Sequence, residues 1–277
     1  MPTETYTFEK VADGIAGCEG PIVDLQGRLF VVCPPQGKIL QIDPVTGHKK
    51  EHADTGGAPA GLQVDAENGL WVADMQRGIL RIAPEGQVHD RVREYAGQPI
   101  RGCNDCALDR HGNLYFTAPA GSSDQTPVGE VFCRLATGPV QRLDQGYAFC
   151  NGIAIRQDQR QLVVAETHSK SLWAYHLDAP GRVRNRTLFA RLPGDDDGGP
   201  DGLDFDGAGH LLVAHWKGAS IDVFNPQGSL VERIGTPFDR PTNLHLGGQD
   251  GRTLYISAGG TENALWRTRW RYAGAGR

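Results

Sequence analysis

The chain contains no run of about 18 consecutive apolar residues, which excludes a membrane-crossing helix. It has no long basic run and carries a net charge of −5, which argues against nucleic acid and anionic membranes as partners. The first residues, Met1-Pro-Thr-Glu-Thr-Tyr6, show no basic region followed by an apolar stretch. No secretory signal is therefore expected, and the expected compartment is the cytoplasm. Six cysteines in a leaderless chain of this size are expected to be reduced thiols rather than a disulfide frame. Long windows of 3.6-residue periodicity with caps are missing, because Gly or Pro interrupts nearly every candidate helix. No G-x-S-x-G, P-loop, dinucleotide fingerprint or H-E-x-x-H occurs.

Glycine is in surplus. The 37 glycines of 277 residues are about 13% of the chain, against about 7% in an average protein. Glycine and the 17 prolines together stay below the roughly 25–30% of a low-complexity chain, and 39% of residues are hydrophobic. These values describe an ordered protein with many tight turns and one large core.

A short apolar strand recurs as Leu29-Phe-Val-Val, Leu70-Trp-Val-Ala, Leu114-Tyr-Phe-Thr, Leu162-Val-Val-Ala, Leu211-Leu-Val-Ala and Leu254-Tyr-Ile-Ser, at intervals of 41, 44, 48, 49 and 43 residues. Six units of about 45 residues match the spacing of four-stranded propeller blades. The expected fold is all-β: a six-bladed β-propeller of antiparallel blades forming a single domain over residues 1–277. The sixth unit ends after its third strand, so Tyr6–Val11 is expected to supply the missing strand of the last blade and close the ring.

A seven-residue segment precedes each recurring strand. The rows are Cys18-Glu-Gly-Pro-Ile-Val-Asp24, Pro59-Ala-Gly-Leu-Gln-Val-Asp65, Cys103-Asn-Asp-Cys-Ala-Leu-Asp109, Cys150-Asn-Gly-Ile-Ala-Ile-Arg156, Pro200-Asp-Gly-Leu-Asp-Phe-Asp206 and Pro241-Thr-Asn-Leu-His-Leu-Gly247. Columns four and six are mostly apolar, as in a buried strand. Column three is Gly, Asp or Asn, the residues that best tolerate left-handed backbone. Column two reads Glu19, Ala60, Asn104, Asn151, Asp201, Thr242. In a ring of blades it converges on the axis, so two carboxylates and two amides meet there. Two carboxylates in a low-dielectric pore repel, and a divalent cation resolves this. All-oxygen ligation suits Ca²⁺ first, with Mg²⁺ or Mn²⁺ as alternatives, and Zn²⁺ is also carried as a possible cofactor.

The loops after the second strands should line the same mouth. They carry Asp74, Met75 and Arg77; Ser122 to Asp124; Glu166 and His168; His215, Trp216 and Lys217; and Thr261 and Glu262. The connections entering the first strands add Arg101, Tyr147 and Asp195 to Asp197. Arg101, His215 and Lys217 are the first candidates for binding an anionic substrate or an oxyanion. Cys103-Asn-Asp-Cys106 has no partner pair for zinc and no βαβ context for redox work, and it reads as packing behind the pore. Cys18, Cys103 and Cys150 precede proposed ligands and should point away from the axis.

On Glu19-Gly-Pro, Asn104-Asp, Asn151-Gly-Ile-Ala, Pro200-Asp-Gly-Leu and Pro241-Thr-Asn-Leu with Gly251-Arg-Thr-Leu-Tyr-Ile, the chain resembles the senescence marker protein (regucalcin), gluconolactonase and luciferin-regenerating family of six-bladed propellers. The resemblance spans nearly the whole chain. It implies one divalent metal on residues matching Glu19, Asn104, Asn151 and Asp201, and hydrolysis of aldono- or urono-lactones as small-molecule substrates. It implies Asp201 as base or nucleophile, with the metal polarising the carbonyl and Asn104 also touching substrate. Arg101 lies near the family's substrate arginine, one residue further from the Asn, and Ser122 and Ser123 stand where an acidic sugar ligand would be. The rival readings are a diisopropyl fluorophosphatase-like organophosphate hydrolase and a non-catalytic ligand-binding propeller with a structural metal. A monomer or small homo-oligomer is expected.

Overall fold

The alternation of the seven-residue segments becomes the innermost strand of each sheet in the computed structural model, which describes residues 5–275. Blade one runs Glu19–Val23, Leu29–Cys33, Lys38–Ile42, Lys49–Asp54, and blade two Pro59–Val64, Leu70–Asp74, Gly78–Ile82, Val88–Val92. Blade three runs Cys106–Leu108, Leu114–Ala118, Gly129–Arg134, Val140–Tyr147, and blade four Cys150–Ile155, Gln161–Glu166, Ser171–Ala179, Arg182–Arg191. Blade five is Gly199–Phe205, Leu211–Trp216, Ser220–Phe224, Leu230–Gly235. Blade six takes Pro241–Gly247, Thr253–Ala258 and Ala264–Arg269 from one end of the chain and Glu9–Ala12 from the other. The closing strand is thus present, beginning at Glu9 rather than Tyr6, with Glu9 opposite Arg267 and Lys10 opposite Trp266.

The six innermost strands touch in cyclic order, the first against both the second and the sixth, which makes a closed six-bladed β-propeller. Among the described residues the only helical element is the 3₁₀ turn Pro34–Gln36, and no helix is long and apolar enough to cross a membrane. The leader question at Met1–Tyr6 falls mostly on residues 1–4, outside the described residues. All six cysteines are buried and free, as expected for thiols. Cys18, Cys103 and Cys150 have no exposed surface and pack into apolar clusters between blades.

The aspartate that ends the seven-residue segment turns the chain into the second strand. Asp24, Asp65, Asp109 and Asp206 each accept two turn N–H groups, at 2.8–3.0 Å. In blade two the left-handed residue of this turn is Asn68, at φ +62, rather than Gly69. Asp65 also accepts Trp71 Nε1 at 3.0 Å and Arg81 Nε at 2.6 Å. Burial opposes its ionisation, but the Arg81 guanidinium and the turn N–H groups hold its carboxyl below the ordinary value.

A depressed folded-state value adds stability above the unfolded pKa, about 3.9, and that stability is lost as pH falls through the folded value. Asp65→Asn is therefore expected to lower the melting temperature at pH 7, with the gap to wild type closing below about pH 4. Thermal melts across that range check this, and a gap that stays constant with pH contradicts it.

Candidate active site

Strict alternation would turn column two to the same side as columns four and six, into the apolar space between blades. The inner strands break the alternation at that point. Cys150 pairs with Glu166 and Ile153 with Val164, so Asn151 and Gly152 share one partner residue. Pro200 pairs with His215 and Leu203 with Val213, so Asp201 and Gly202 do the same. An extra residue also falls between Glu19 and Ile22, between Pro59 and Gly61, and between Pro241 and Asn243. A bulge re-aims the side chain it carries, and in blades two, four, five and six it carries the column-two residue itself, whereas in blade one it follows Glu19 and in blade three Asn104 precedes the inner strand.

Column three has a different role from the one expected. Of its members only Gly20, at φ +53, is left-handed. The remaining glycines are required by close approach. A Cβ on Gly20 would stand 2.6 Å from the Ala60 carbonyl oxygen of the next blade. One on Gly152 would press into the Asp201 carbonyl, and ones on Gly61 and Gly202 would meet Asp105 and Asn243.

Hydroxyls tie the blades together at the same level. Thr117 Oγ1 donates to the Asn151 carbonyl at 2.7 Å, Thr167 Oγ1 to the Pro200 carbonyl at 2.8 Å, and Thr242 Oγ1 to the Cys18 carbonyl at 3.0 Å. Asn151 Nδ2 donates to Thr167 Oγ1 at 3.0 Å, which leaves the amide oxygen to face a ligand. The Asn104 side chain has no hydrogen-bond partner among the described residues, and its backbone N–H donates to Thr117 O at 3.0 Å.

Glu19, Asp105 and Asp201 act on one another at the axis. Burial raises the Glu19 carboxyl well above the ordinary range, and the charges of Asp201 and Asp105 raise it further. Asp201 is likewise raised, by burial first and then by Asp105, with the Asn151 amide opposing. Burial lifts Asp105 to about 7, against hydrogen bonds from the Cys106 and Ile153 N–H groups and the Asn243 amide. Asp105 of blade three and Asn243 of blade six therefore meet across the axis, and the Asn243 amide also reaches Glu19. Neither was singled out from the sequence. The available signal was the break in column three, where Asp and Asn replace the glycine of other blades.

Among the described residues no three His, Cys, Asp or Glu side chains come together as a cation cage. A cation at the axis would have to use amide as well as carboxylate oxygens. Column two offers that mixture, and the mutual repulsion of its acids is what a divalent cation would relieve, so the residues present fit such an ion.

The structure separates the remaining candidates. His215 pairs in register with Pro200, as Asp74 does with Pro59 and Glu166 with Cys150. It is fully buried, with Nδ1 2.9 Å from Asp222 and Nε2 3.2 Å from Asp196, so it offers no surface to a ligand. Asp74 and Glu166 are also buried and accept N–H and O–H groups of their loops. Tyr147 is buried against Tyr175. Burial opposes the ionisation of Asp196, but Lys170 and the Gly198 N–H lower its carboxyl to about 2. Lys217 is on the rim, half-buried, with Nζ 4.7 Å over the Trp216 ring. Arg101 is exposed and lines a cleft of about 510 Å³ on blade three with Glu130 and Gln145.

Fold and site together define a six-bladed propeller with a ring of carboxylate and amide oxygens on its axis. The chain belongs to the SMP-30/Gluconolactonase/LRE-like region family, which it matches over residues 18–260. It is 39% identical to diisopropyl-fluorophosphatase of Loligo vulgaris, covering 99% of this chain and 95% of that protein. It is 28% identical to gluconolactonase of Zymomonas mobilis, covering 91% and 78%. Among solved structures, a gluconolactonase from Xanthomonas campestris superposes with a TM-score of 0.83 at 26% identity, covering 95% of this chain and 89% of that one. These relatives are hydrolases by name.

Proposed function

We propose that the chain is a divalent-metal-dependent hydrolase that opens a lactone ring at the axial mouth. What supports this is the mutual approach of Glu19, Asp201 and Asn151, with Asn104 carried as the fourth ligand from the matching position of blade three. These four residues would hold the cation. When bound, it supplies a Lewis-acid charge that polarises the carbonyl oxygen.

Asp201 takes the proton of the attacking water or attacks the carbonyl carbon itself; both require an ionised carboxylate facing the mouth. As base, Asp201 passes that proton to the ring oxygen as the ring C–O bond breaks, and the water oxygen stays on the carbonyl carbon; as nucleophile, it forms an acyl-enzyme while the ring oxygen leaves with a proton from water, and a second water then cleaves that bond to free Asp201 and the carboxylic acid. The new carboxylic acid then ionises and releases one proton. Asn151 is oriented for its part by Thr167. Lys217 and Arg101 are the cations available to an acidic substrate.

A second reading is favoured by the 39% identity to diisopropyl-fluorophosphatase: the same ring would serve a fluorophosphate. Proton release over aldono-, urono- and aromatic lactones, run beside fluoride release from a fluorophosphate, decides between them. Chelation is expected to abolish turnover and lower the melting temperature, and Ca²⁺ to restore both. Full activity in chelator would sink the metal-dependent reading. A stability change without turnover on any substrate would leave a structural metal.

A further inference from the structure

Of the acidic run Asp195-Asp196-Asp197, only the middle member is tied down. Asp195 and Asp197 are exposed, and their side chains have no hydrogen-bond or ion-pair partner among the described residues. Asp196 Oδ1 accepts Lys170 Nζ at 2.9 Å and the Gly198 N–H at 2.9 Å, and lies 3.2 Å from His215 Nε2. Lys170 Nζ also donates to Gly194 O at 2.9 Å, and the Lys170 carbonyl accepts the Leu192 N–H at 2.9 Å. One carboxylate oxygen therefore joins a loop of blade four, the second strand of blade five and the connection that leads to Asp201.

His215 is a fixed post for this oxygen. Its ring is fully buried, with Nδ1 2.9 Å from Asp222 Oδ2, and Asp222 Oδ1 accepts Ser220 Oγ at 3.1 Å. A Cβ on Gly218 would strike the same ring, so the turn above it is packed as closely as the chain allows.

The residues that follow Asp196 have no side chains with which to hold themselves. A Cβ on Gly198 would strike the Trp216 carbonyl oxygen, and one on Gly199 the Thr167 carbonyl oxygen. The two glycines thus run in a slot between blades four and five that admits nothing larger. Glycine has the greatest backbone freedom, so this stretch depends on the anchor at its entry. Beyond the slot, Pro200 O accepts Thr167 Oγ1 at 2.8 Å, and the same hydroxyl receives the Asn151 amide at 3.0 Å. Asp201 is the next residue. A shift of Gly198 and Gly199 is passed to Asp201 directly and to Asn151 through Thr167.

We propose that Asp196, held by Lys170 and His215, is a positioning residue that sets Asp201 and Asn151 at the axis. Its effect on the ring rests on the metal-dependent hydrolase reading of the site, and its effect on the strand rests on the geometry alone.

Three variants test it. Asp196→Ala removes all three contacts, Asp196→Asn keeps an amide oxygen that can accept them, and Asp195→Ala removes an equal charge from the same loop. Calorimetric titration with Ca²⁺, below the melting transition of every variant, reads the ring, and kcat is measured beside it. Asp196→Ala is expected to lose about 10- to 100-fold in Ca²⁺ affinity or kcat, the range for a residue that orients a ligand. Asp196→Asn should retain most of both, and Asp195→Ala should match wild type. Wild-type affinity and kcat in Asp196→Ala, even with a lower melting temperature, overturns the proposal, because the contact then only stabilises the fold. An equal loss in Asp196→Asn or Asp195→Ala also overturns it, since charge rather than position would be the cause. If wild type neither binds Ca²⁺ nor turns over a substrate, the metal-dependent reading fails by itself. Hydrogen exchange of the Gly199–Phe205 strand then decides: faster exchange in Asp196→Ala that Asp196→Asn restores upholds the positioning role, and exchange equal to wild type removes it.

Discussion

Asp201→Asn is expected to lower turnover by about 10²- to 10⁴-fold, the range for a positioned proton-transfer group, while the metal-free protein melts at a higher temperature than wild type. The two effects have opposite sign for one reason. Without a cation, Asp201 sits under the blades facing the charges of Glu19 and Asp105, and its carboxyl is raised by burial and by that repulsion. Its neutral isostere removes one of three mutually repelling acids and keeps the contact with Asn151. A cation gains less from the altered ring, so the rise in melting temperature on adding Ca²⁺ should shrink. Paired melts with and without Ca²⁺, together with the lactone and fluorophosphate assays, measure all three quantities. Wild-type turnover with metal bound would remove Asp201 from its assigned role.

Gly152→Ala should destabilise the protein by about 3 kcal/mol or more and abolish activity with it. The added methyl group meets the backbone carbonyl of Asp201, which cannot rotate aside as a flexible side-chain tip would. The two inner strands must move apart or the bulge must unfold, and either displaces Asn151 and Asp201 together. At about 2–4 °C per kcal/mol for a chain of this size, the melting temperature should fall by roughly 6–12 °C. Gly235→Ala is the control: a Cβ there meets nothing within 4 Å, its backbone is not left-handed, and its melting temperature should stay near wild type. Equal behaviour of the two variants would contradict the close-approach account.

The propeller was legible because its repeat is carried by residue types that recur for local reasons. The leucine-led second strands are buried in every blade, and the closing aspartates cap the turns that give the segments a constant length. That constant length is what brought column two into register. The bulge was not legible, since an extra residue leaves no mark of its own on the apolar alternation around it. Column three was misread for a related reason: glycine fits left-handed backbone and close approach equally well, and only the neighbouring blade distinguishes them. His215 looked available because a basic residue next to a loop resembles a ligand. The two carboxylates that enclose it, Asp222 and Asp196, come from the next strand and from the loop entering its own blade.

The closing strand bears on how the protein is made. Glu9–Ala12 is synthesised before the first five blades, yet it pairs with Ala264–Arg269, which follows all five. During synthesis the early segment must wait while the five intervening blades are made, and the seam of the ring is sealed only once Ala264–Arg269 has followed them. Glu19 stands in the first blade and Asp201 in the fifth, with the inner strand of the sixth packed between theirs. A nascent chain that stalls before Ala264 therefore holds both carboxylates in a ring that has not closed, and the axial centre is completed only as the last strand arrives.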